Sequence, residues 1–287
     1  MSTNTVAVRC SVSCGLRRGR TEFTNSVRSA TDLAYYVIVS LIVLLVLWLN
    51  RSDTLPGTTV PVALFMLPGL LALQVVFSGA YGLATQLATE REDGTLLRLK
   101  SVPGGMTGYV CGQMLRTTLE IGFSMAIVLI PAFFFIPGLT ANGIGGWMEA
   151  IGFLLLGLLA VLPLGFVIGS VFKSPRMVGG WGMLVMGAIV WVSGIFYPLA
   201  QMAGWAQALG QLTPVYWLGL GLRAALLPES AAAVEIDGSW RTLATLVVLL
   251  AWAIVGFLVA PPLLRRMARR ESGSSVAARR EKALQRV

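Results

Sequence analysis

The densest cluster of ionisable side chains between long apolar segments is Glu90-Arg91-Glu92-Asp93. Gly94-Thr95 follows, then Leu96, Leu97 and Leu99 threaded with Arg98 and Lys100. Four adjacent charges are costly in hydrocarbon, so this stretch belongs in water between two membrane spans. The chemistry it offers is docking. Gly94 permits a sharp turn, and Asp93 or Thr95 can cap a new helix. In that helix Leu96, Leu99 and Val102 share one face, with Arg98 and Lys100 turned elsewhere. Apolar knobs ringed by charge suit a groove on a soluble partner. The plainer alternative is a hydrophilic loop whose charges serve solubility and orientation.

Two further groups have spacing that could do chemistry. Arg116 and Glu120 stand one helical turn apart and can pair. They are either a functional pair inside the membrane or a cytoplasmic-edge pair, with Arg116 snorkelling to the headgroups. Farther on, Ser193-Gly194-x-Phe196-Tyr197-Pro198 is followed by Pro214-x-Tyr216 and by Arg223. Gly194 and Pro198 break a helix near membrane depth, and the aromatic residues hold the freed backbone at the interface. Arg223 can bond carbonyls left open by the break. An ordinary outer loop with aromatic anchors is the alternative.

Catalytic constellations are missing from the sequence. It has no G-x-x-x-x-G-K-[ST] phosphate loop, no G-x-S-x-G elbow and no histidine. Cys10, Cys14 and Cys111 are too few and too scattered for a disulfide framework, and Cys10-x-x-x-Cys14 has no metal-ligand partners. No acidic pair sits within an apolar span, as proton coupling would need. The chain therefore reads as a non-enzyme, with no cofactor of its own.

The elements that must position these groups are membrane helices. Of 287 residues, 56% are hydrophobic and 12% charged, with a mean hydropathy of +0.77. These values place the chain among integral membrane proteins. Roughly 20 apolar residues cross a bilayer, and six stretches qualify: 33–49, 61–88, 103–136, 147–172, 177–195 and 243–264. The second is longer than one crossing needs, so it tilts, kinks near Pro68-Gly69 or extends into the cytoplasm. Gly165-x-x-x-Gly169 in the fourth permits close helix packing. Between 198 and 240 the apolar segments are short, which suits re-entrant or interfacial helices. A net charge of +9 could suggest nucleic acid, but the arginines gather at the two chain ends, the positive-inside pattern. Six crossings put both basic ends in the cytoplasm, beside anionic lipid headgroups. The expected division is a cytoplasmic arm over 1–31, with a weak interfacial-helix signal near 23–29. A transmembrane domain over 32–265 and a basic tail over 266–287 complete it.

The run Glu90-Arg91-Glu92-x-Gly94-Thr95-Leu96, ending in a basic-apolar stretch, is similar to the cytoplasmic coupling helix of ABC-2 type ABC-transporter permeases. The chain departs from it at Leu97, where many members carry an acidic residue. The block from Ser193 to Arg223 resembles the family's segment between its fifth and sixth spans. With the two motifs in the right order, the likeness covers about 33–264. It implies an all-α fold of six transmembrane helices, a coupling helix between spans two and three, and re-entrant helices at an outer gate between spans five and six. It further implies a second permease chain, identical or not, and two ABC ATPase subunits that bind ATP and Mg. The implied activity is export across the cytoplasmic membrane. The apolar spans and short loops point to hydrophobic or amphipathic cargo and to the drug- and antibiotic-resistance branch. Other readings are an exporter of a lipid-linked glycan, an ion-coupled carrier, or a lipid-modifying membrane enzyme, whose acid, histidine or metal set is not found.

Overall fold

The computed structural model describes residues 3–55, 59–102, 104–172 and 174–270, with residues 3–10, 100 and 270 in backbone only. The 271–287 part of the basic tail and the Cys10 side chain lie outside this description. Among the described residues the secondary structure is helical, apart from one isolated bridge between Thr54 and Pro61. Six helices are long and apolar enough to cross a membrane.

A helix, α1 (Thr3–Arg28), precedes the first of these, α2 (Ala30–Leu49). The Ser29 hydroxyl accepts from the Asp32 amide at 3.4 Å, and Asp32 places a negative charge in the first turn, where the helix dipole favours it. The second long helix, α3 (Val62–Glu92), is the most buried of the six. Pro68 lies inside it, but the regular hydrogen-bond ladder changes farther on, at a π-helical segment over Phe77–Gly82. The expected kink site at Pro68-Gly69 serves another purpose. A Cβ built on Gly69 would lie 3.0 Å from the backbone of Ile195, so a glycine lets two backbones meet there.

A short helix, α4 (Thr95–Lys100), follows α3. Its N-cap is Gly94 with φ 76, and no side chain caps it, so the Asp93 or Thr95 cap expected from the sequence does not form. The left-handed glycine makes the turn by itself. Next come α5 (Gly105–Phe135), α6 (Gly143–Val171) and α7 (Pro175–Val192), the last with its own π segment over Val178–Gly182. The Ser174 hydroxyl and Pro175 at the first helical position start α7. Two short helices, α8 (Gly204–Leu212) and α9 (Pro214–Leu226), fill the segment before the last long helix, α10 (Thr242–Arg270).

The N-terminal arm forms a helix over Thr3–Arg28, longer than the stretch near 23–29 that the sequence marked. Helix α1 lies along α5, and the two backbones touch at glycines. A Cβ on Gly15 would sit 2.1 Å from the Gly108 carbonyl oxygen, and one on Gly19 would sit 2.3 Å from that of Gly112. The same device joins α6 to the lower half of α3, where a Cβ on Gly165 would come within 2.5 Å of the Gly79 oxygen and one on Gly169 within 3.0 Å of the Ala84 oxygen. Without a hydrophobic force between helices in lipid, such close backbone approach supplies much of the attraction. Edge-to-face rings add to it, Phe23 against Phe123 and Tyr109 against Phe166.

These contacts set a stability test. Gly15→Val and Gly112→Val must push α1 off α5, at an over-packing cost of about 1–3 kcal/mol. The purified protein should melt at lower temperature than wild type. Gly122→Ala, on the same α5 but with nothing within 4 Å of the added carbon, should melt at or slightly above the wild-type temperature.

Candidate functional site

The charged end of α3 does not stand alone in water. Glu90 Oε1 accepts from Gln113 Nε2 at 3.1 Å and from Gln86 Nε2 at 3.4 Å, and Arg18 of α1 lies 3.8 Å away. Arg18 Nε also donates to Glu22 at 2.6 Å, and its guanidinium stands 5.7 Å from the centre of the Tyr109 ring. Glu22 reaches Arg116 at 3.7 Å, and Arg116 Nε pairs with Glu120 at 2.7 Å. Charges of alternating sign thus run Glu90, Arg18, Glu22, Arg116, Glu120 across α3, α1 and α5. Arg116 and Glu120 are part of this junction and not an isolated pair. Sequence spacing found the Arg116–Glu120 contact but not the two α1 residues that extend it, because they lie some ninety positions upstream of Arg116 and Glu120.

The turn and α4 present a different face from the one expected. Arg91 Nη1 donates to the Phe172 carbonyl at the end of α6, at 3.3 Å. Leu96 is 1% exposed, and the half-buried Leu99 packs on the same core. Leu96 and Leu99 thus lie against this chain's own core, and Glu90 is engaged within the chain by Gln113, Gln86 and Arg18. A six-residue helix cannot hold itself in water, so its apolar side is spent on its own chain. Asp93, Arg98, Ser101 and Val102 are exposed, Glu92, Thr95 and Leu97 are half-buried, and Gly94 is covered.

At the other candidate site α7 ends at Ser193, and Gly194 reverses the chain with φ 65. Arg223 of α9 is fully buried; its Nη1 donates to the Gly194 carbonyl at 3.1 Å. Its Nε lies 2.8 Å from Glu235 Oε1, itself without exposure, and its guanidinium stacks 4.7 Å from the centre of the Phe65 ring on α3. Nothing in the sequence pattern singles out Glu235. Its distance from Arg223 fits no helical spacing, and only the two short 3₁₀ turns after α9 bring it back. Burial first, then the charge of Glu235, pushes the Tyr216 hydroxyl up to about 12, outside the six candidate spans. Ser193, Gly194 and Pro198 are buried, whereas Phe196 and Tyr197 are exposed. Pro214 starts α9 at its first position, where its missing N–H costs nothing. Cys14 and Cys111 are free thiols.

Removing one member of a buried ion pair strands the other, at about 3–5 kcal/mol. Arg223→Met should sharply lower yield and melting temperature of the purified protein. Arg223→Met combined with Glu235→Leu should regain most of that loss, leaving the Gly194 carbonyl as the remaining cost. A single variant that melts like wild type would show that the pair holds nothing.

Comparison with known proteins bears on both regions. Residues 16–227 match the family described as ABC-2 type transporter. The match takes in the second half of α1, which the motif likeness leaves outside, and stops short of α10. The chain is also similar to the daunorubicin resistance ABC transporter permease protein DrrB1 of Streptomyces coeruleorubidus, at 25% identity over 182 residues. That alignment spans 62% of this chain and 62% of the relative's length. The family match extends over well more than half of the sequence, and the chain is a multi-pass membrane protein belonging to the ABC-2 type transporter family.

Proposed function

We propose that this chain is the transmembrane subunit of an ATP-driven exporter that moves hydrophobic or amphipathic compounds out across the cytoplasmic membrane. Both termini lie in the cytoplasm. A separate ATPase, in two copies, binds ATP and Mg, and a second permease chain completes the path. The observation that carries the reading is the continuity from span to turn. Helix α3 runs for 31 residues to Glu92 and leads directly into the exposed Asp93 and, on α4, the exposed Arg98. The sequence has no phosphate loop, so its energy must arrive from outside. Similarity to a daunorubicin resistance permease favours the drug-resistance branch over glycan export.

The buried Leu96 changes how a push would travel. Partner contact falls on Asp93, Arg98 and Val102, and Leu96 clamps α4 to the bundle behind them. ATP-driven closure of the ATPase pair would then displace α4 together with the lower ends of α3 and α5, as a rigid-body step between two preformed states. The side that the path between the two permeases faces would change with it.

Co-expression with a phosphate-loop ATPase encoded beside this gene tests the reading. Asp93→Arg with Arg98→Glu places like charges at the contact, which disfavours docking strongly. Co-purification of the ATPase should fall by about tenfold or more while permease yield and melting hold. Undiminished co-purification and drug-stimulated ATP hydrolysis in that variant would remove the turn from the coupling role. Leu96→Asp, by contrast, should lower permease yield itself.

A further inference from the structure

A cavity of about 840 Å³ opens between α2, α3 and α5, beside the end of α1. Its volume suits one drug-sized molecule. The π segment of α3 builds one wall: Phe77, Ser78, Tyr81 and Gly82 all line it. The rings of Phe77 and Tyr81 lie 5.0 Å apart and tilted by 36°, and with Tyr35 and Tyr36 opposite they offer aromatic faces on two sides. At one end the lining is apolar, with Val43, Leu70 and Leu73; at the other it is charged, with Asp32, Glu120 and Arg116.

Charge at that end is unbalanced. The Arg116 guanidinium is shared between Glu120 and Glu22. Asp32 accepts a 3.0 Å hydrogen bond from the Ser26 hydroxyl and pairs with no arginine or lysine among the described residues. Inside the cavity a guest would meet two carboxylates against one guanidinium, and a carboxylate without a cation of its own favours one.

We propose that this cavity is a binding site for planar aromatic organic cations, with the ring body between Phe77, Tyr81 and the tyrosines of α2 and the protonated nitrogen at Asp32. This inference rests on the exporter reading for its purpose, but binding at the site is measurable without an ATPase.

The test uses the full-length permease alone in phosphatidylcholine nanodiscs. The probes are 9-aminoacridine, protonated at neutral pH, and acridine, which has the same three-ring body and is uncharged there. Wild type should bind 9-aminoacridine about tenfold or more tightly than acridine. Asp32→Asn should erase that preference with acridine binding unchanged, Asp32→Glu should keep it, and Phe77→Ala should weaken both probes. Equal affinity for the two probes in wild type, or an Asp32→Asn variant with the preference intact, overturns the proposal. So does displacement of 9-aminoacridine by added phosphatidylethanolamine, whose headgroup also carries a cationic nitrogen but no aromatic body. Failure here leaves ATPase co-purification untouched, whereas failure of co-purification removes the exporter while probe binding persists.

Discussion

One arginine with no access to solvent governs the half of the molecule beyond α7. A buried chain break leaves carbonyls with no water to bond, and each such group left unpaired is costly. Arg223 donates to the Gly194 carbonyl at that break. A bare guanidinium with no exposure would itself be untenable, so Glu235 must come to it. The folded-back path from α8 to the two 3₁₀ turns follows from that requirement. Helix α9, buried along nearly its whole length, is the strut that carries the arginine to the break.

The other half is held by backbone contact and by charge. Glycines let α1 rest on α5 and α6 rest on lower α3, and the row from Glu90 to Glu120 ties α1, α3 and α5 together. Surface ion pairs are each worth little, but these are part-buried and share partners, so losing one unbalances its neighbours. The aromatic cavity lies against the same charged row. Occupancy of that cavity and the position of the turn after α3 therefore depend on the same side chains.

Much of this was legible in the residues. Six apolar runs gave six membrane-length helices, the second run read as longer than one crossing needs and forms a 31-residue helix, and Gly194, Pro198 and Arg223 marked a break. Three features were not legible, each for a physical reason. Helix α1 is polar and lacks an apolar stripe; its partners are glycines about ninety residues away, which leave no periodic signal. The spacing of Leu96 and Leu99 defined a face but could not tell whether it met a partner or the chain's own core. Glu235 joins Arg223 through irregular backbone, for which no spacing rule exists.

The widened turn in α3 has one more consequence. A π segment arises when a helix carries a surplus residue, and each residue of an α-helix advances the azimuth by about 100°. Deleting a single residue between 77 and 82 would restore ordinary winding and swing the half of α3 that ends at Glu92 around its axis. Glu90 would then face away from Arg18, and Ala84 and Leu87 would leave the glycines of α6. The surplus residue therefore acts as a phase-setter, letting one rod show its membrane half one set of neighbours and its lower half another.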